Sequence, residues 1–363
     1  MNATSLYKYL DEMVPWDDRL QVLECLRVVD EAPDVKSFAF RSDSQTWFRY
    51  QPGQFITLEL PAEPEPLMRT YTLSSSPSRP FSIAVTVKAQ ADSIGTRWMF
   101  DNLKPGDHIR AFGPSGDFSL HNHPAAKYLF LSAGSGITPM MSMLLWLNDF
   151  APQTDVAFIN CARRYDDLIF RRELELVGNY MHGLSLDFLL EERARREGGF
   201  GHVGRIDATR LKLIAPDFAE REIFCCGPDP FMRAVRQILE AESFDMAHYH
   251  QESFGAPTIE RVQAPFEEII NAEPPADAQP VRFALSDVEA SCLPDQTILQ
   301  TARAAGVRIP AACEFGLCGT CKTLKLSGDV EMSHNGGILD HEIEEGYILA
   351  CCSRPLGPVT VDA

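Results

Sequence analysis

The sequence predicts a multidomain chain: an antiparallel β-barrel, then a doubly wound parallel α/β unit, then a small α+β unit carrying clustered cysteines. Three observations carry that prediction. Short β-branched and aromatic runs, broken by Pro, Gly and Asp, fill the first third of the chain. From Lys127 onward, apolar strands alternate with helical patterns. Six of the ten cysteines then fall beyond residue 290. The 363 residues suit two to three domains at about 150 residues each.

The elements follow in order. LQVLECLRVV, VKSFAF, QFITLEL, TYTLS, FSIAVTV and HIRAFG read as barrel strands, with one helical piece from Ile94 to Leu103. KYLFLSA precedes the helix PMMSMLLWLND, and DVAFINCA precedes RRELELVGNY. LSLDFLL follows, and EIFCCG leads into DPFMRAVRQILEAE. The acidic, proline-bearing stretch PTIERVQAPFEEIINAEPPADAQP lacks periodicity and reads as a linker. After it come strand VRFAL, helix ILQTARAAG, a cysteine loop and short strands. The boundaries are a lead at 1–16, a barrel at 17–122, an α/β unit at 123–256, a linker at 257–280 and a last unit at 281–363.

Composition excludes several function classes. Apolar residues at 45% and charged residues at 23% rule out a disordered or coiled-coil chain. A net charge of −18 repels nucleic-acid phosphates and anionic lipid surfaces, and it suits a protein partner with a basic docking face. Tyr128–Asn148 contains no charge, but Ser132, Gly134, Ser135, Gly136, Thr138 and Pro139 make it a strand, loop and helix, not a membrane span. Lys8, Asp11 and Glu12 stand where a signal peptide would be apolar, so a cytoplasmic protein is expected.

In a reducing compartment, clustered cysteines point to metal or redox chemistry. Cys313, Cys318 and Cys321 stand as C-x4-C-x2-C, and Cys351 follows after 29 residues. This is the plant-type spacing for a [2Fe–2S] cluster. A zinc knot favours two short-spaced pairs and a thioredoxin-like C-x-x-C sits by a βαβ pattern, so neither explains the x4 gap. Spacing alone does not separate Cys351 from Cys352 as the fourth ligand. Cys25, Cys161 and Cys292 read as small core residues.

Resemblance now adds to these readings. The last eighty or so residues resemble the plant-type ferredoxin domain, a β-grasp fold, down to the GYILACCSRPLG ending. The first cysteine of that ending matches the family's fourth ligand, which favours Cys351. Upstream, Arg69, Tyr71 and Thr72 form R-x-Y-T on a strand, where arginine suits a phosphate and an aromatic suits a flat ring. Ser93, Gly95 and Thr96 open a helix whose free amides attract phosphate. With GPSGDF (Gly113 to Phe118), this set resembles the flavin-binding barrel of the ferredoxin–NADP reductase family.

Gly134, Ser135, Gly136, Ile137, Thr138 and Pro139 follow a strand and begin a helix, letting backbone amides approach a pyrophosphate. Pro139 replaces the third glycine of the dinucleotide fingerprint, and the same reductase family uses GxGxxP here. Cys226, Gly227 and Pro228 end the last strand and line the same crevice. By resemblance, Cys226 lies near the reactive nicotinamide carbon and Phe254 covers the flavin; both also read as core residues. With Tyr71 they form the expected catalytic set. Arg163 and Arg164 fall where a 2′-phosphate would sit, or are solvated charges beside Asp166 and Asp167. The resemblance favours NADH, and FAD with FMN as the alternative.

The three parts together imply an electron transformer. NADH delivers two electrons, a [2Fe–2S] cluster accepts one, and a flavin stands between them. A plant-type cluster lies at about −400 mV. This domain order is similar to reductase components of Rieske-type oxygenases, above all those of glycine betaine demethylase systems, which implies a separate Rieske-type oxygenase as electron acceptor. The hybrid-cluster protein is the alternative acceptor, and a zinc-bearing interaction protein is the reading from another class. The chain holds no C-x-H…C-x-x-H pair, so no Rieske centre of its own is expected. The H-x-H pairs His121/His123 and His248/His250 read as loop or strand residues.

Overall fold

The first sheet is built by β-branched and aromatic runs whose alternate residues face inward. Its strands include β2 (Gln21–Ala32), β3 (Val35–Ser42), β5 (Phe55–Leu60), β6 (Leu67–Thr72), β7 (Ile83–Lys88) and β8 (His108–Ser115). A two-residue strand β1 (Val14–Pro15) pairs apart from them with β4 (Thr46–Trp47). The six run in the order β6-β5-β8-β2-β3-β7. A bridge from Leu73, just past β6, to Val85 on β7 joins the two ends and closes the sheet into a barrel. Phe38, Phe40, Leu58, Leu60 and Val85 are fully buried within it. Helix α1 (Ile94–Asn102) lies between β7 and β8, as its sequence predicted.

The computed structural model describes residues 14–15, 21–42, 46–61, 66–90, 93–192, 201–254, 278–307, 309, 311, 314, 316, 319–334 and 337–363. Most of the expected lead and linker, together with Cys313 and Cys318, lie outside the described residues.

The second sheet is parallel. Its strands are β9 (Lys127–Ala133), β10 (Asp155–Ala162), β11 (Leu184–Leu190), β12 (His202–Val203), β13 (Glu222–Cys226) and β14 (Tyr249–Glu252), ordered β12-β11-β10-β9-β13-β14. Helices α2 (Ile137–Phe150) and α3 (Arg171–Tyr180) cover one face through Met140, Leu144, Leu174 and Val177. Helices α4 (Ala208–Ile214) and α5 (Asp229–Ala241) cover the other through Leu211, Met232, Val235 and Leu239. With both faces covered, β9 and β10 are continuous apolar runs, as a parallel sheet demands.

Barrel and parallel sheet belong to one compact unit. Contacts between them include Ser142 Oγ of α2, which donates to the Ser75 carbonyl at 2.7 Å, and Arg79, which pairs with Asp149 at 3.2 Å. The C-terminal segment, grouped with Leu67–Thr70 of β6, forms a second unit. It holds β15 (Gln279–Phe283), β16 (Val288–Cys292), α6 (Ile298–Ala304), β17 (Lys322–Ser327), β18 (Val330–Met332), α7 (Asp340–Glu344), β19 (Tyr347–Leu349), β20 (Ser353–Pro355) and β21 (Val359–Val361). The five-stranded sheet β16-β15-β21-β17-β19 is mixed, with β15 parallel to β21. Thr297 and Gln300 start α6 with a reciprocal capping box.

Two differences from the expected elements bear on the site. Helix α2 begins at Ile137 instead of Pro139, so the Gly-Ser-Gly turn runs straight into it. β14 is a sixth parallel strand that sequence pattern did not single out, because four residues are too few to display a period.

Candidate functional site

The carboxyl ends of β9, β13 and β14 meet in one place. Gly134 has φ +55° and its missing side chain faces open space, so the backbone there is accessible. Gly136 is the reverse case: a Cβ on it would sit 2.2 Å from the Cys226 carbonyl oxygen. Only glycine lets the two loops touch. Thr138 Oγ1 donates to the Ser135 carbonyl at 3.1 Å, and Ile137, Thr138 and Pro139 are buried in the first helical turn. Gly227 packs on Phe231 and Ala133, and Pro228 caps α5 from the surface.

Cys226 lies in a buried polar row that crosses the sheet. Asn160, Ser132, Cys226 and Glu252 are in register on β10, β9, β13 and β14. In-register neighbours share a face of the sheet. Ser132 Oγ donates to Asn160 Oδ1 at 3.1 Å. Among the described residues, Asn160 Nδ2 and Glu252 Oε2, at the two ends of the row, have no hydrogen-bond partner. Buried orphan atoms are uncommon in native proteins, and here they suit a polar ligand such as a nicotinamide carboxamide.

Burial sets the protonation of the row. It pushes the Glu252 carboxyl up to about 8, against the lowering hydrogen bond from Thr72. It also drives the Cys226 thiol well above its ordinary range, with the Glu252 charge adding to the effect. At neutral pH both groups are mainly neutral, so the thiol is no nucleophile. Sequence reasoning missed Glu252. The strand that carries it is four residues long, too short to show a period that would have placed the acid inside a sheet.

Thr72 is thus brought to Glu252 across the two folds, while Tyr71 beside it is half-buried. Arg69 is exposed, and its Nη1 donates to the Met68 carbonyl at 2.8 Å. Phe254 is 48% exposed just beyond β14, placing an uncovered aromatic face next to Glu252. Ser253 between them donates to Asp229 Oδ1 at 3.2 Å, tying this end to the start of α5. At α1, Ser93 Oγ accepts the Thr96 amide at 3.3 Å, Thr96 Oγ1 accepts the Gln90 amide at 3.2 Å, and Gly95 is buried. Arg163 and Arg164 are exposed and paired with Asp167 and Glu192.

In the second unit, Cys321 and Cys351 are buried close together. The Cys351 amide points at Cys321 Sγ at 3.4 Å, and the Gly316 amide points at Cys351 Sγ at 3.3 Å. Amides aimed at sulfur suit thiolate ligands of an iron–sulfur cluster. Gly316, at φ +75°, leaves no room for a Cβ: it would meet Cys352 Sγ at 2.8 Å.

Three family models match the chain. An oxidoreductase FAD-binding domain matches residues 25–120, an oxidoreductase NAD-binding domain 130–237, and a 2Fe-2S iron-sulfur cluster binding domain 283–356. The stachydrine N-demethylase reductase subunit of Rhizobium meliloti (strain 1021) is 51% identical over 348 residues, covering 96% of this chain and 98% of the relative. The glycine betaine monooxygenase reductase subunit of Pseudomonas aeruginosa (strain UCBPP-PA14) is 43% identical over 353 residues, covering 96% of each. Among solved structures, phthalate dioxygenase reductase superposes with a TM-score of 0.59 at 23% identity, over 95% of this chain and 98% of that one. It shares the fold. Electrons in this chain pass from NADH through flavin to a [2Fe–2S] cluster. The chain carries FAD-binding, NAD-binding and [2Fe–2S] domains in that order and belongs to the family of NADH-dependent oxidoreductases that includes these reductase subunits.

Proposed function

We propose that this chain is the reductase of an oxygenase system that removes an N-methyl group from a quaternary methylammonium carboxylate, stachydrine or glycine betaine. The carrying observation is 51% identity across nearly the whole of both chains with a stachydrine N-demethylase reductase subunit. Its acceptor is a separate oxygenase of the Rieske type. The cysteine usage supports a cytoplasmic setting.

Each candidate residue takes a role in that reading. Arg69, Tyr71 and Thr72, with the α1 start at Ser93, Gly95 and Thr96, hold the flavin. The segment Gly134 to Pro139 receives the pyrophosphate of the nucleotide, supported by the open backbone at Gly134. Cys226, Gly227 and Pro228 floor the nicotinamide pocket, where a neutral thiol adds bulk without charge. Glu252, neutral and held by Thr72, keeps a proton beside that pocket, and Phe254 covers the ring. Bound flavin supplies the conversion of a two-electron donor to a one-electron acceptor. Cys313, Cys318, Cys321 and Cys351 ligate the cluster, and the amides on Cys321 and Cys351 tune it.

The test is reconstitution with a betaine-type Rieske oxygenase, following NADH consumption and formaldehyde with stachydrine or glycine betaine as methyl donor. Formaldehyde in step with NADH is the expected result. Reduction of flavin and cluster with no formaldehyde from either substrate would sink this reading and turn the search to another acceptor, such as the hybrid-cluster protein.

A further inference from the structure

The fold brings together His123 from one H-x-H pair and both members of the other, residues that the flavin and nucleotide chemistry leaves unused. His123 lies in the connector between barrel and sheet, Glu222 opens β13, and His250 sits on β14. The His123 and His250 rings stack at 3.5 Å between centroids. Glu222 Oε1 lies 2.5 Å from His250 Nε2, while Oε2 lies 2.8 Å from His248 Nδ1. His121, the fourth histidine, is elsewhere, edge-on to Trp146.

We propose that His123, Glu222 and His250 form a binding site for one borderline divalent transition cation of the zinc class, separate from flavin, nucleotide and cluster. Among the described residues this is the group whose nitrogen and carboxylate atoms, one from each residue, all lie within 4.8 Å of one another. Metal bonds of about 2.0–2.1 Å require the 2.5 Å contact between Glu222 and His250 to open and the stacked His123 ring to turn its nitrogen toward the same point. Two imidazoles and one carboxylate are a donor set that zinc accepts, leaving a fourth position for water.

The surroundings behave as an outer shell. His248 holds the second oxygen of Glu222, which orients the first toward His250. Phe224 packs on both His250 and His123, at 5.1 and 5.9 Å, and shields one side from water. The Tyr128 hydroxyl donates to the His123 carbonyl at 3.2 Å, fixing the connector.

Glu222 is at the opposite end of β13 from Cys226, so the cation would not touch the nicotinamide pocket. It would tie β14, whose far end carries Glu252, to the connector and to β13.

The experiment uses the full chain carrying flavin and cluster, equilibrated with zinc chloride and desalted, with zinc counted by mass spectrometry. One zinc per chain is expected, with unchanged cluster absorbance and a raised melting temperature. His123→Asn with His250→Asn should weaken zinc binding by roughly tenfold or more while flavin and cluster absorbance stay intact. Glu222→Gln, which preserves shape, should do the same if the double variant fails to fold. No zinc on the wild type would overturn the site. So would equal zinc on the variants, or uptake only as the cluster bleaches.

Discussion

Glu252 and Gly136 illustrate what single positions do here. Glu252 is buried at the end of a strand, and its carboxyl stays protonated in the fold up to about pH 8, whereas the unfolded chain ionises near 4.5. Between those values the unfolded state binds fewer protons, so stability falls as pH rises through that window. Glu252→Gln removes the titration. The wild type should therefore lose stability faster from pH 5 to pH 8 than the variant, by up to about 1.4 kcal/mol for each pH unit, seen as a steeper fall in melting temperature. Parallel curves would mean that Glu252 is ionised in the fold. Gly136 makes a purely steric case. Gly136→Ala drives a methyl into the Cys226 carbonyl, where backbone meets backbone, and should cost about 1–3 kcal/mol and raise the KM for NADH. Gly357→Ala, with open space around it, is the matched control and should change neither.

At the level of the element, helix starts carry much of the site. Ser93 satisfies the Thr96 amide at the start of α1. Ser93→Ala should lower stability by about 1 kcal/mol. Ser93→Asp separates two roles, because aspartate restores the cap but repels a phosphate. Its melting temperature should return to that of the wild type while flavin retention falls; full flavin retention would remove this helix start from phosphate binding. The elements most legible in the sequence were those with sustained patterns. α3 spans the very residues read as helical, Arg171–Tyr180, and β9 and β10 match their apolar runs. β14 was not legible, because four residues at a sheet edge draw their conformation from pairing with β13 and not from their own pattern.

Across the whole molecule, the cluster sits in a unit with its own core of Val281, Phe283, Leu299 and Ile348, apart from the unit that carries the flavin and nucleotide domains. Separate cores predict separable failures. Cys351→Ser should abolish the cluster's visible absorbance and electron delivery to the acceptor, yet leave NADH-to-dye turnover through the flavin essentially unchanged. Loss of dye turnover as well would show that the two units depend on each other for folding or cofactor retention.

The sequence by itself determined the three-part order, the closed antiparallel sheet, the doubly wound sheet and the cysteine spacing of the cluster. Those features follow from local pattern: alternation, runs, and glycines or cysteines at short intervals. Only the tertiary structure decided which distant side chains meet. Thr72 reaches Glu252 from 180 positions away, Gly136 abuts Cys226, and His123 stacks on His250, in each case because strands far apart in the chain end side by side. The protonation of Glu252 belongs to the same class. A carboxyl's environment is set by what buries it, and that is a property of the assembled sheet and not of the residues beside it in the chain.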